Sequence, residues 1–302
     1  MSTAAIAPSR QHTTIHSQRA RLARRVSRVL LYATVAVVAT VFMFPFFWTI
    51  SSSLKQMDEL YTFPPTLLPT KLMPLNYVYV FDLHPFGLWL RNTLVITTLS
   101  TIGTVSSATF VAYSFGRLHW PGRDLFFLLT LGTMMLPDEV TLIPRFLIFS
   151  HLGWLDSWRP LFIPAFFGGG AFDIFLLRQF VQTIPRELDE AAFIDGASRF
   201  RILTTILIPL MKPAIATVTV IHVVWKWSEF VGPLIYLNSS EKFPVALGLR
   251  FFEQWGKTVG QAIPQDHYLM ACCVMSSLPV LLLFFLTQRF FVQGIVMTGL
   301  KA

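Results

Sequence analysis

Residues 29–50 read VLLYATVAVVATVFMFPFFWTI and contain no charged side chain. A helix of about 20 apolar residues crosses the hydrocarbon core of a bilayer, which is about 30 Å thick. Two further runs are equally free of charge, residues 92–115 and residues 268–288. These runs predict three transmembrane helices. The bulky Phe46-Phe47-Trp48 near the end of the first indicates a retained span rather than a cleaved signal peptide.

Three more apolar runs are interrupted by polar residues or by proline: residues 125–137, 160–177 and 213–237. The first is too short to cross unless it continues past kinks at Pro137 and Pro144, because proline removes a backbone donor and clashes with the preceding turn. The sequence lacks the period-two alternation of a membrane barrel. The six runs together predict an all-α integral membrane protein with six transmembrane helices.

Charge orients these helices. Hydrophobic residues make up 54% of the chain and charged residues 13%, against about a quarter in soluble domains. Six arginines precede the first span with no acidic residue before Asp58: Arg10, Arg19, Arg21, Arg24, Arg25 and Arg28. The positive-inside rule makes that tail cytoplasmic, and an even number of spans returns the chain to the cytoplasm. We expect a basic tail at 1–28, a membrane domain at 29–292 and a cytoplasmic tail at 293–302.

Several functional classes are disfavoured by the sequence. The net charge of +8 is explained by membrane orientation, so no nucleic-acid partner is predicted. No metal site, cofactor site or hydrolase motif is present, such as His-Glu-x-x-His or Gly-x-Ser-x-Gly. Cys272 and Cys273 are neighbours on one span and are predicted to pack, as is the lone intramembrane His222. Any energy for this protein's work must therefore come from another chain.

A polar segment between the fourth and fifth spans reads EAAFIDGA at residues 190–197 and is followed by ILIP at 206–209. Pro185 is a suitable helix start, and acids follow it at Glu187, Asp189 and Glu190, where the helix dipole favours them. Gly196 lowers helix stability by about 1 kcal/mol relative to Ala, so we expect a close approach or a turn there. The pattern predicts a docking helix with a face of small residues, or a helix in the headgroup layer.

The segment closely resembles the signature loop of bacterial ABC importer permeases: Glu-Ala-Ala, then Gly after three intervening residues, then Ile-x-Leu-Pro. Ile208 stands where the family usually has Leu. Other motifs resemble the carbohydrate-uptake branch and extend the likeness from Val29 to the C-terminus. They are residues 178–180, 184–188, 92–94, 112–117, 121–123, 227–230, 233–234 and 293–301. Ser228 replaces the Asn usual in this branch. The chain is most similar to the six-span partner of maltose-type sugar permease pairs.

The resemblance implies a non-enzymatic subunit of an importer in the bacterial cytoplasmic (inner) membrane, without a cofactor. Its implied partners are cytoplasmic ABC ATPase subunits, a second permease subunit, an extracytoplasmic solute-binding protein, membrane lipid and a carbohydrate substrate. The loop at 185–209 would couple ATP hydrolysis to transport. Its implied coupling residues are Glu190, Ala191, Ala192, Asp195, Gly196, Ala197, Ile206 and Pro209.

The fifth span also suggests a substrate path. Trp225, Trp227 and Glu229 lie roughly 20 Å along it, where aromatic rings would stack on a sugar. The alternative is an interfacial aromatic belt with charges reaching outward. Asp173 follows three glycines and is expected either to cap a broken helix or to contact substrate. A rival function is an ion-coupled secondary transporter using Asp173, Glu229 or Lys226; a membrane-embedded enzyme is disfavoured by the missing motifs.

Overall fold

The computed structural model describes the backbone of residues 11–258 and 265–299 and the side chains of residues 25–251 and 265–288. Throughout these ranges the regular structure is helical. The helices are α1 Gln11–Ser53, α2 Met57–Leu60, α3 Asn76–Leu83, α4 Phe86–Arg117, α5 Arg123–Thr133, α6 Asp138–His151, α7 Arg159–Phe162, α8 Ala171–Thr183, α9 Glu187–Ile194, α10 Arg199–Arg201, α11 Ile208–Leu210, α12 Lys212–Trp227, α13 Val231–Tyr236, α14 Val245–Thr258 and α15 Asp266–Gly299. Short 3₁₀ segments cover Ile163–Phe166 and Ser240–Lys242, and a π-helical segment covers Ile202–Leu207.

The all-α membrane class is confirmed. Four segments are long and apolar enough to cross a bilayer: Arg25–Ser53, Phe86–Arg117, Arg159–Thr183 and Asp266–Gln288. The number rises to the predicted six if each of two bent pairs is one span, namely α5 with α6 at 101° and residues 199–210 with α12 at 77°. The predicted tails at 1–28 and 293–302 are helical from Gln11 and as far as Gly299, respectively.

The third and fifth spans differ from the prediction. Between α5 and α6 the bend lies at the residues before Pro137, whereas Pro144 lies inside α6 without ending it. The fifth helix was predicted to reach Leu237 but ends at Trp227. Its continuation is blocked because the ring of Pro233 would clash with the carbonyl of Glu229 in a continuous helix. The chain instead begins a separate helix, α13, at Val231.

Helix α4 is the central element. Its sides pack against α8, α12 and the segment comprising α7 and the 3₁₀ turn after it. Small residues at a spacing of four form a buried stripe along it: Thr104, Ala108, Ala112 and Gly116. A Cβ at Gly116 would lie 3.1 Å from Cγ1 of Val181 in α8, so the small side chain permits this close approach. The carboxyl-terminal half of α4 joins one apolar cluster with α8 and residues 192–218, and its amino-terminal half joins a second with residues 236–247 and α15.

Near the amino-terminal end of α4, hydrogen bonds of Asp156 connect the loop before α7 to residues 238–242. Its carboxylate accepts hydrogen bonds from the backbone N–H groups of Asn238 (3.0 Å) and Ser239 (2.9 Å), from the Ser239 hydroxyl (2.6 Å) and from Nζ of Lys242 (2.7 Å). These bonds, that of Lys242 first, hold the pKa of Asp156 far below its usual range. Asp156 also has φ of 49°, a left-handed conformation that Asp and Asn tolerate better than most residues.

Replacing Asp156 with Asn is expected to destabilise the protein by about 1–2 kcal/mol at pH 7, a value reduced for the partial exposure of Lys242. Asn keeps the backbone conformation but removes the charge. Because folding depresses this pKa, the contribution is complete above the unfolded value of about 3.9 and is lost as the pH falls through the folded value. Thermal unfolding in detergent at pH 7, 5 and 3 checks this. The exposed-pair variant Asp138→Asn is the control, and a difference from wild type that stays constant with pH would contradict the assignment.

Candidate functional site

The helix predicted between the fourth and fifth spans is present as α9, Glu187–Ile194. It begins two positions after Pro185, which lies outside it, so the prediction of a start at the proline itself was wrong. Glu187, Asp189 and Glu190 occupy its first turn, where they compensate the positive end of the helix dipole.

Gly196 ends this helix through its backbone conformation. The N–H of Ala197 donates to the carbonyl of Ala192 (2.9 Å), and the N–H of Gly196 donates to that of Phe193 (3.0 Å). This pair of bonds is the Schellman arrangement, in which the residue at Gly196 is left-handed, and its φ is +80°. A Cβ there would meet nothing within 4 Å among the described residues. Of the two sequence-based explanations, the structure therefore supports the turn.

The predicted small-residue face is divided between two directions. Ala192 is buried and Ala197 half-buried, and both belong to the apolar cluster around α4 and α8. The outward side is formed by Leu188, Glu190, Ala191, Ile194 and Asp195, which we call the exposed α9 face. Ile194 is 87% exposed. This face combines acidic groups with accessible apolar side chains.

Three side chains of α4 attach the loop to the bundle. Arg117 pairs with Asp189 (Nε to Oδ2, 3.4 Å), and its Nη2 donates to the carbonyl of Ile184 at 2.6 Å. The Tyr113 hydroxyl donates to the carbonyl of Arg199 (3.2 Å). The ring of Phe110 stacks on Phe200, with centroids 6.3 Å apart and planes 9° apart. Sequence reasoning missed these contacts because their partners are far apart in the chain; the only signal was an arginine ending the small-residue stripe.

The path from the loop into the fifth span is bent. Ser198 caps α10 by accepting a hydrogen bond from the N–H of Arg201 (3.3 Å). The π-helical segment follows, with Ile202, Leu203 and Leu207 buried in the core and Ile206 packed against it. Pro209 is exposed just before the 77° bend. Three residues of the segment thus anchor this connection, while the bend separates it from α12.

The residues of the predicted substrate path make separate contacts. The indole of Trp227 donates to the carbonyl of Ser276 in α15 (3.0 Å), and Glu229 pairs with Lys226 at 2.5 Å. Trp225 is 74% exposed. These contacts are compatible with the belt interpretation as well as with a path.

Asp173 and His222 lie close to polar groups within the bundle. Asp173 lies in the first turn of α8, and its Oδ2 is 2.7 Å from the position that a Cβ would take at Gly170, the residue preceding that helix. The carboxylate is therefore beside the helix start, where the helix dipole favours a negative charge. The Nε2 of His222 lies 3.2 Å from the Ser100 hydroxyl and 3.4 Å from that of Thr104. Both positions support the structural interpretations.

Comparison with known proteins decides the family. The model for the binding-protein-dependent transport system inner membrane component matches residues 108–297. The chain belongs to this family. It is 31% identical to the trehalose/maltose transport system permease protein MalG of Thermococcus litoralis, over 91% of this chain and 98% of that protein. It is 29% identical to the arabinooligosaccharides transport system permease protein AraQ of Bacillus subtilis, over 91% and 96% of the two chains.

A solved structure shows the same fold. A chain of a bacterial ABC transporter involved in the import of the acidic polysaccharide alginate superposes with a TM-score of 0.78 at 24% identity, covering 95% of this permease and all of that chain. The permease is thus a multi-pass, non-catalytic inner-membrane subunit of a binding-protein-dependent ABC importer. The predicted family and its function as an importer permease are confirmed, and the ion-coupled secondary transporter is set aside.

Proposed function

We propose that this permease imports a sugar or oligosaccharide together with a second permease subunit, cytoplasmic ATPase subunits and an extracytoplasmic solute-binding protein. The relatives support the substrate class, because their names specify trehalose/maltose and arabinooligosaccharide transport. The observation that carries the coupling role is the exposed α9 face, an accessible surface on a helix otherwise held in the bundle.

The charge of α9 favours a protein partner over the headgroup layer. Helices that lie on membranes carry Lys and Arg toward anionic lipid, and the cytoplasmic surface potential is negative. Helix α9 carries no basic residue and exposes Glu187 and Glu190, while Asp189 pairs inward with Arg117. Asp195 adds a third exposed acid just after the helix. Such a helix would be repelled by anionic lipid. A socket on the ATPase with basic groups and an apolar floor would suit it.

The loop residues proposed for coupling form two sets, one that faces outward and one that packs inward. Glu190, Ala191 and Asp195 face outward and are proposed to contact the ATPase. Ala192, Ala197 and Ile206 pack inward and are proposed to hold the helix against the bundle. Gly196 sets the turn between the sets, and Pro209 precedes the bend into the fifth span.

We expect Gly196→Asp and Glu190→Lys to reduce uptake about tenfold or more, because contacts to charged groups at interfaces are worth more than the 1.4 kcal/mol that tenfold represents. Gly196→Asn is the matched control, since Asn tolerates the left-handed conformation and adds no charge. Gly196→Ala tests the turn alone. Uptake of radiolabelled maltose, trehalose and arabinotriose and ATP hydrolysis stimulated by the binding protein are measured in membrane vesicles containing the whole transporter.

Three outcomes separate the parts of this proposal. Normal uptake and stimulated hydrolysis in both charged variants would remove the coupling role. A defect in Gly196→Asn as large as in Gly196→Asp would assign the effect to the bulk of the added side chain rather than to its charge. Failure of the wild-type transporter to import any of the three sugars would reject the carbohydrate class as probed.

The proposed orientation places both termini in the cytoplasm, with the basic tail 1–28 and the tail 293–302 on that side of the membrane domain 29–292. The arginines before the first span support it. A reporter that is active only in the cytoplasm, fused after Ala302, is expected to be active. The matched fusion within the loop after α1, at Thr70, is expected to be silent. The opposite pattern would put the Glu190 loop on the wrong side for an ATPase.

Trp227 and Glu229 are proposed to line the substrate path, with Trp225 and Asp173 as weaker candidates. Trp227→Ala and the double variant Lys226→Gln/Glu229→Gln, which leaves no unpaired charge, are expected to reduce uptake roughly tenfold while basal ATP hydrolysis is retained. Trp225→Ala is the control for an exposed belt residue. If both variants transport the three sugars at the wild-type rate, these residues belong to the belt.

A further inference from the structure

One face of α4 contacts the coupling loop at three places. Phe110, Tyr113 and Arg117 are spaced i, i+3 and i+7, so they share a side of the helix. Arg117 binds the loop entrance at Ile184 and the first turn of α9 at Asp189. Tyr113 and Phe110 bind the loop exit at Arg199 and Phe200. The loop is therefore attached to α4 near its start and near its end.

The pair of Arg117 and Asp189 is buried, with 3% and 14% of the two side chains exposed. Removing one partner of such a pair leaves a buried charge without compensation, which disfavours any movement of α9 away from α4. The direct connection from the loop into α12 bends by 77°. A displacement of α9 thus reaches α4 through direct side-chain contacts and reaches α12 only around a bend.

The opposite end of α4 is attached in a similar way. Trp89 donates to the carbonyl of Ser240 (3.1 Å), and Nδ2 of Asn92 donates to those of Glu241 (2.7 Å) and Phe243 (3.0 Å). The Thr93 hydroxyl accepts from the N–H of Val245 at 2.8 Å. Helix α4 has 32 residues and is therefore about 48 Å long. One continuous helix connects the coupling loop to the 238–245 loop.

We propose that Arg117 is a positioning residue that makes α4 and the coupling loop move as one body, so that α4 transmits the ATPase's motion to the 238–245 loop. The proposal rests on the coupling role of the exposed α9 face. The motion of the coupling loop would then reach the bundle through α4, the second span, as well as through the chain connection into the fifth span. Asn92 is the corresponding attachment at the far end.

The test follows nucleotide-dependent movement at the far end of α4. A fluorophore is placed on the exposed Asn238→Cys in a Cys272→Ser/Cys273→Ser background, in the complete transporter in proteoliposomes. ATP with vanadate is expected to change the fluorescence.

Arg117→Gln should lower that change about fivefold or more while the ATPase still copurifies and hydrolyses ATP. Arg117→Lys, which keeps the charge, should retain more than half of the signal. Arg123→Gln is the control, a cytoplasmic arginine paired with its neighbour Asp124.

A full signal in Arg117→Gln would overturn the proposal, as would loss of the ATPase from that variant, which would make Arg117 a docking residue. If Arg117→Gln does not fold and insert into the membrane, Tyr113→Phe and Asn92→Ala decide: a reduced signal supports transmission through α4, and an unchanged one overturns it. If Glu190→Lys and Gly196→Asp uncouple the transporter but Arg117→Gln does not, only the α4 route fails. If those two variants are normal, the coupling role itself fails.

Discussion

Satisfying the polar groups of α4 from within the protein is the constraint on which the rest of the structure depends. Hydrocarbon offers no hydrogen-bond partners, so each polar group at that depth needs one inside the bundle. Helix α4 is rich in buried hydroxyls. Those of Thr93, Ser107 and Thr109 donate to carbonyls four residues earlier, and Ser107 also reaches the carbonyl of Ala165. These three side chains tolerate burial because carbonyls of the helix itself accept from them, whereas the buried hydroxyls of Thr97 and Thr101 have no partner among the described residues. The small size of all these side chains lets neighbouring helices approach.

A helix with neighbours packed on several sides stays straight, so the chain bends in other segments. The breaks lie between α5 and α6, at Gly168–Gly170 before α8, and at Met211 before α12. The glycines at 168 and 169 have positive φ, and Asp173 lies in the first turn of the helix that begins after the break. Such a break is tolerated in a membrane only because its backbone groups find partners in the protein. The rigid and the bent elements are therefore products of the same requirement.

Two ion pairs show that burial, more than distance, decides how strongly a pair constrains movement. Arg145 and Asp138 lie 3.1 Å apart with 46% and 76% of their side chains exposed, and an exposed pair contributes about 0–1 kcal/mol. Arg117 and Asp189 are slightly farther apart but almost buried, and breaking a buried pair costs about 3–5 kcal/mol. The longer contact is thus the stronger constraint on movement. Distance alone would have ranked them in the opposite order.

The sequence predicts the features that follow from local chemistry. Uncharged runs define the first, second and sixth spans, and the acids at Glu187, Asp189 and Glu190 mark the start of α9. It does not predict the end of α12 at Trp227, which depends on Pro233 six positions later. Nor does it pair Arg117 with Asp189, because two charges without a shared helical spacing carry no sign of proximity. The split of the small-residue face was missed since Ala191 and Ala192 are identical residues, and only packing distinguishes them.

Exposed apolar surface does not identify the partners of a membrane protein. The described side chains of α1 and of α5 are largely exposed, with Phe42 and Leu128 as examples. Lipid tails are as apolar as these residues, so lipid and a second permease would cover them equally well. At the membrane ends the situation is different, because water and headgroups discriminate between charged and apolar groups. An exposed Ile194 between Glu190 and Asp195 is unfavourable in water and, through its acidic neighbours, beside anionic lipid. The exposed Ile194 with its acidic neighbours is therefore the surface that best supports the proposed contact with a protein partner.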